Sequence, residues 1–141
     1  MQAINYQLIL DELLKSVRPA EQLVDHAWMG KKKLICEFRS IGFKTTRQSG
    51  KTDFIAELVQ QGKAVMITYE AYLPSALNQV TPAFEDRVLV YETLKPEDFD
   101  QFKDLGIKFI CMDEFYHFEV KDKVYDKLDE VFGPDLVVIR T

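Results

Sequence analysis

The chain is poor in cysteine. Of 141 residues only Cys36 and Cys111 carry a thiol, and there is no CxxC and no paired Cys/His spacing. A zinc site is therefore not expected. Both cysteines lie within apolar runs, which suggests buried free thiols in a reducing compartment rather than a disulfide. No apolar signal core stands near Met1, and no apolar run reaches the roughly 20 residues that cross a bilayer. The expectation is a cytoplasmic protein with no membrane partner. Basic charge is also scarce: 18 Lys and Arg against 23 Asp and Glu leave a net charge of −5. Tight unaided binding to nucleic acid is not expected from that balance. The basic run Lys31-Lys32-Lys33 reads as the solvated edge of a helix. Internal repeats and low-complexity tails are absent as well.

What is present suits one α/β domain. Hydrophobic residues make up 47% and charged residues 29% of the chain, the mixture of a globular domain. Residues 4–17 place apolar side chains at 4, 8, 9, 10, 13, 14 and 17, one face of a helix. Pro19 fits the first turn of a second helix over residues 20–29, with Gly30 as its C-cap. Residues 34–38 are apolar and open to either helix or strand. Residues 40–45 read as a strand, and Phe54, Ile55, Leu58 and Val59 mark a helix from Lys51 that Gly62 stops.

Further on, residues 64–69, 88–91, 107–112 and 135–141 read as strands. Residues 70–86 form a connection with a short helix near 75–79. Pro96-Glu97-Asp98 opens a helix that Gly106 closes, with acids placed against the positive end of its dipole. Residues 118–132 form the last helix. Strands alternating with helices predict a mostly parallel sheet covered on both faces, preceded by N-terminal helices. The expected division is a helical segment over residues 1–30 and a core over residues 40–141 of the same domain.

The most informative stretch is Thr45-Thr46-Arg47-Gln48-Ser49-Gly50-Lys51-Thr52. It stands between an expected strand and an expected helix and ends in Gly-Lys-Thr, the close of the phosphate-binding pattern GxxxxGK[ST]. Thr45 occupies the place of the first glycine. In such a loop successive backbone N–H groups curl around a phosphate, and the positive end of the next helix faces the anion. Gly50 would let the backbone approach closely. Lys51 would reach the β- and γ-phosphates of ATP, and the Thr52 hydroxyl would sit on Mg²⁺. A second half of the same machine follows 62 residues later, where Ile107-Lys-Phe-Ile-Cys-Met-Asp113-Glu114 ends an apolar strand in two carboxylates. Asp113 would hold Mg²⁺, and Glu114 would polarise the attacking water.

The Gly-Lys-Thr loop together with Asp113-Glu114 resembles the P-loop NTPases that carry an additional catalytic glutamate, which include RecA-like ATPases, helicases and phage packaging motors. Thr46-Arg47-Gln48-Ser49-Gly50-Lys51-Thr52 is similar to the phosphate loop of phage terminase large subunits. Those subunits lack the first glycine and often place an aromatic after the acidic pair, as Phe115 stands here. The resemblance implies a three-layer RecA-like core that binds and hydrolyses MgATP, with Arg47 stabilising charge on the γ-phosphate. It covers roughly residues 40–141, and its specific parts are the loop and the acidic strand. A wider likeness runs to superfamily 2 helicase motor domains, through residues 88–97 and through His117, one place beyond their histidine. Tyr6-Gln7 is similar to an adenine-reading glutamine, set further from the loop than in those families. Thr141 falls near the Ser/Thr that couples hydrolysis to movement in them.

Such motors act with further domains or subunits. The resemblance therefore implies copies of this chain or another subunit as partners, with DNA reached through the assembly. Two other classes remain open. Ser49-Gly50-Lys51-Thr52, Gly62-Lys63 and Asp113-Glu114 also resemble type II thymidine kinases, although the zinc-binding cysteines and the C-terminal substrate lasso of that family are missing. The third class is a non-catalytic adaptor that keeps the fold and uses Phe115-Tyr116-His117-Phe118 as an interface.

Overall fold

In a computed structural model, residues 5–17, 28, 30–42, 51–112, 122–133 and 135–140 are described. Helices α1 (Tyr6–Leu14) and α2 (Lys31–Phe38) precede the first strand, β1 (Ser40–Gly42). Helix α3 (Lys51–Gln60) and strand β2 (Ala64–Thr68) follow, then the short helix α4 (Leu73–Asn78) and strand β3 (Val88–Val90). Strand β4 (Phe109–Met112), helix α5 (Asp122–Phe132) and strand β5 (Val137–Arg140) complete the order. The five strands form one sheet in the order β1-β5-β4-β2-β3, and every neighbouring pair is parallel. The expected α/β class is thus present, and the sheet is wholly parallel.

A parallel sheet has helices on both faces, so its central strands are apolar throughout. All five residues of β2 and all four of β4 are buried. Alternation along the strands sorts the side chains into two layers. Ile41, Ala64, Met66, Phe109, Cys111, Val137 and Ile139 pack with Phe54, Ile55, Leu58 and Val59 of α3. Tyr6 and Leu10 of α1 join that layer. On the other face Val65, Ile67, Ile110, Met112 and Val138 meet Ile35 of α2, Phe99 and Phe102, and Val124, Tyr125 and Leu128 of α5.

Connections through α3 and α4 step the chain from β1 towards the β3 edge on the first face. Those through residues 91–108 and α5 step it back towards β1 on the second. Opposite directions on opposite faces keep one crossover hand, as parallel sheets require. The helices that follow β1 and β4, α3 and α5, therefore lie on different faces, with β5 between the two strands. Such a reversal leaves a crevice at the carboxyl edge of the sheet, where α/β folds receive ligands.

Local chemistry explains most boundaries. Gly62, at φ +77°, closes α3 in the left-handed conformation that a glycine adopts without a Cβ penalty. The Lys63 carbonyl then accepts from the Lys108 and Phe109 amides at 2.8 and 3.0 Å, which ties together the amino ends of β2 and β4. Arg39, only 7% exposed, follows α2. Its Nε donates to the Leu136 carbonyl at 2.9 Å and its Nη2 to the Asp135 carbonyl at 2.7 Å. That fork clamps the end of α2 to the segment that enters β5. Burial holds the Arg39 pKa below its usual value, with the Asp135 carboxylate opposing the shift.

Several expectations need correction. Gly30 is the N-cap of α2 at φ +83°, and the helix it was expected to close falls in residues 20–29. Residues 34–38, open between helix and strand, belong to that helix. The helix expected to open at Pro96 is a 3-10 segment, Pro96–Phe102. Its buried Phe99 and Phe102 stand three residues apart, the repeat at which 3-10 side chains eclipse. Cys111 is buried as expected, but Cys36 is only half-buried, and the two are not joined in a disulfide. The second helix expected over 20–29 lies outside the described residues except for Trp28. Among the described residues no helix is long and apolar enough to cross a membrane.

Candidate functional site

Register fixes what stands together at the carboxyl edge. Gly42 of β1 pairs with Arg140 of β5, and Arg140 pairs in turn with Met112 of β4. The last described residue before the phosphate-loop sequence and the last before Asp113-Glu114 are therefore level, with one strand between them. Neighbouring strands lie about 4.8 Å apart, so those two departure points are separated by roughly 10 Å. Helix α3 begins at Lys51 and returns to the amino end of β2, so its N-terminus belongs to this same edge. A helix N-terminus presents unpaired amide donors and the positive end of its dipole.

The sequence-based site residues fall as follows. Thr46, Arg47, Gln48, Ser49 and Gly50 lie outside the described residues, as do Asp113, Glu114 and His117. Lys51 and Thr52 are the first two residues of α3 by their backbone, and their side chains lie outside the described set. Tyr6 is 5% exposed, with its ring stacked on Phe54 of α3 at 5.6 Å and 24°. Phe54 is three residues beyond Lys51, so α1 packs beside the first turn of α3. Gln7 instead points along its own helix, its Nε2 donating to Asp11 at 2.9 Å. Gly62-Lys63 stands at the opposite, amino edge of the sheet, where its role is to close α3 and start β2.

Two residues at the carboxyl edge escaped the sequence reading. The first is Arg140, whose Nη2 donates to the Tyr125 hydroxyl at 2.8 Å and approaches the Cys36 sulfur at 3.4 Å. Its Nε is buried with no hydrogen-bond partner among the described residues. Tyr125 is 1% exposed. Burial raises its hydroxyl pKa well above the usual value, a hydrogen bond with Cys36 adds to the rise, and the Arg140 charge opposes it. The second is Thr68, fully buried at the end of β2. Its Oγ1 also has no partner among the described residues. A polar residue closing an otherwise apolar strand was the available signal in both cases: Ala-Val-Met-Ile-Thr68 and Val-Val-Ile-Arg140.

Among the described residues no group of three His, Cys, Asp or Glu side chains could hold a metal ion. Asp113, the carboxylate assigned to magnesium from the sequence, lies outside that set. No family model matches the chain, and neither does any curated protein or solved structure.

Proposed function

We propose that this chain is a small P-loop ATPase, with a RecA-like core that binds MgATP at Thr46–Thr52 and hydrolyses it with Glu114. The observation that carries the reading is the alignment of Gly42, Arg140 and Met112 at one sheet edge. Through it, the strand leading to Gly-Lys-Thr and the strand leading to Asp-Glu finish level at one edge with β5 between them, across the reversal in connection direction. A Gly-Lys-Thr tripeptide gains meaning when it follows a strand and opens a helix. Here β1 ends at Gly42 and α3 opens on Lys51 itself.

The roles follow from position and chemistry. Backbone N–H groups of residues 46–52 would cradle the β- and γ-phosphates, and Lys51 would place an ammonium on them. Thr52 and Asp113 would hold the magnesium ion, which when bound neutralises phosphate charge. Glu114 would orient and polarise the attacking water, and Arg47 would stabilise charge on the γ-phosphate in the transition state. The buried Thr68 hydroxyl and Arg140 Nε, both without partners among the described residues, fit an edge that receives a polar ligand. Work on a larger object, in an assembly that processes or packages nucleic acid, requires copies of this chain or another subunit. DNA would then be met through the assembly, since the chain itself is acidic.

Calorimetric titration with ATP and Mg²⁺ tests the reading. Wild-type protein should bind with one site per chain, and Lys51→Ala should abolish that binding while leaving the fold intact. Absence of binding to any nucleoside triphosphate, alone or with its partner, would refute the proposal. Labelled ATP incubated with nucleosides separates it from the kinase reading: phosphoryl transfer to a nucleoside would favour the kinase.

A further inference from the structure

The β2–β3 end of the carboxyl edge carries an aromatic surface that the ATP reading does not use. Strands β2 and β3 finish level, Thr68 opposite Val90, and each runs straight into a tyrosine. The Tyr69 and Tyr91 rings meet edge to face, with centroids 5.5 Å apart at 86°. Tyr69 leads into the 3-10 turn Glu70–Tyr72, whose last ring stands 6.4 Å from that of Tyr69 at 64°. Three rings thus gather beyond two neighbouring strands, in the mutual orientation that aromatic quadrupoles favour.

Two carboxylates accompany them. Glu92 follows Tyr91, and its two oxygens accept from the Glu70 amide at 2.7 and 3.2 Å. That contact ties the 3-10 turn to the end of β3 and so holds Tyr72 beside Tyr69. Glu70 and Glu92 are exposed, and neither has an ion-pair partner among the described residues. Tyr72 is 46% exposed. Burial raises the Tyr69 hydroxyl pKa, and the neighbouring Tyr91, Glu92 and Tyr72 add to the rise, as a negative surrounding does.

An open ring and two uncompensated charges of one sign add little to the stability of the fold. Together they have the chemistry that holds an organic cation, since ring faces and carboxylates attract the same charge. We propose that Tyr69, Tyr72 and Tyr91, with Glu70 and Glu92, form a docking surface for a basic segment of a partner protein, which lays an arginine on the Tyr72 ring. A guanidinium stacks on a ring through its plane while its N–H fork pairs with a carboxylate, which the compact lysine ammonium does not match. Tyrosine and arginine are also the residues enriched at the centres of protein interfaces. A small-molecule site buries most of its ligand, whereas Tyr72 stands open, so the cation arrives on a protein. Phosphates of a nucleic acid would be repelled here, and the net charge of −5 steers a basic partner towards the chain.

The test needs no nucleotide and is therefore independent of the ATPase reading. Capped tri-arginine, tri-lysine and tri-citrulline peptides, and a short oligothymidylate, are titrated into the full chain at low salt and followed by NMR. Tri-arginine should shift the ring signals of Tyr69, Tyr72 and Tyr91 and the amides of Glu70 and Glu92 saturably. Tri-lysine should bind more weakly, and neither the uncharged tri-citrulline nor the oligothymidylate should shift those signals. Tyr72→Ala should weaken tri-arginine binding about threefold, and Glu70→Gln should weaken it and flatten its salt dependence. Tyr72→Phe, which keeps the ring, and Glu85→Gln, which removes an exposed acid on the amino side of β3, should bind as wild type does. No saturable shift at these residues, equal affinity for tri-lysine, or binding of the oligothymidylate to the same rings would each overturn the proposal. Unchanged binding by Glu70→Gln would overturn it even if Tyr72→Ala failed to fold.

Discussion

Replacing Tyr125 by Phe removes one oxygen from the layer that joins α2, α5 and β5, and the structure fixes what that does. The hydroxyl accepts a 2.8 Å hydrogen bond from the Arg140 guanidinium, and the ring is 1% exposed. A hydrogen bond to a charged group contributes about 1.5–3 kcal/mol. The Cys36 sulfur, 3.4 Å from the same Nη2, remains as a weaker acceptor, which places the cost near the low end, about 2 kcal/mol. At roughly 3–4 °C per kcal/mol for a chain of this size, the midpoint should fall by about 7 °C.

The pH dependence gives an independent check. The unfolded tyrosine ionises near 10, and burial raises the folded value above that. The hydroxyl's contribution is therefore complete below pH 10 and is lost as pH rises from there through the folded pKa. Urea unfolding of wild type and Tyr125→Phe should show the full stability gap at about pH 8 and a narrowing gap towards about pH 11. Equal stabilities at the lower pH, or a gap constant across the range, would refute the reasoning.

Other perturbations probe the frame around the site. Arg39→Ala removes two hydrogen bonds from a buried guanidinium to the Asp135 and Leu136 carbonyls; it should lower unfolding stability by about 3 kcal/mol in urea titrations. Leu128→Ala empties a fully buried position of α5 and should cost about 3 kcal/mol by the same measurement. Gly62→Ala should cost about 1 kcal/mol through its φ of +77°. Space is not limiting there, because the nearest atom to an added Cβ would be the Arg87 Nη1 at 3.7 Å.

Where a single element carries its own pattern, the sequence sufficed. The uninterrupted apolar runs ending at Thr68 and Met112 are what a parallel strand buried on both faces requires. The spacing of Phe54, Ile55, Leu58 and Val59 before Gly62 allowed only a helix with one buried face. Where the outcome depends on neighbours in space, the pattern was silent. Gly30 can end one helix or begin the next, and both uses demand the same backbone freedom. Phe99 and Phe102 satisfy either a helical or a 3-10 spacing. Arg140 and Thr68 stand out locally as polar ends of apolar strands, but strand order and register place them beside β1 and β4; no local pattern encodes that adjacency. Around the site residues read from the sequence, the structure describes the strand ends that precede them in the chain and the helix that Lys51 and Thr52 begin.

The proposed role of Glu114 is to turn over ATP held by the Gly-Lys-Thr loop. The most direct measurement is phosphate release from MgATP by wild type and Glu114→Gln, with and without DNA, alongside ATP binding by both proteins. Wild type should hydrolyse ATP, and Glu114→Gln should retain binding with turnover reduced about 10²–10⁴-fold. Undiminished hydrolysis by Glu114→Gln, or a wild-type protein that binds ATP and never releases phosphate under either condition, would contradict it.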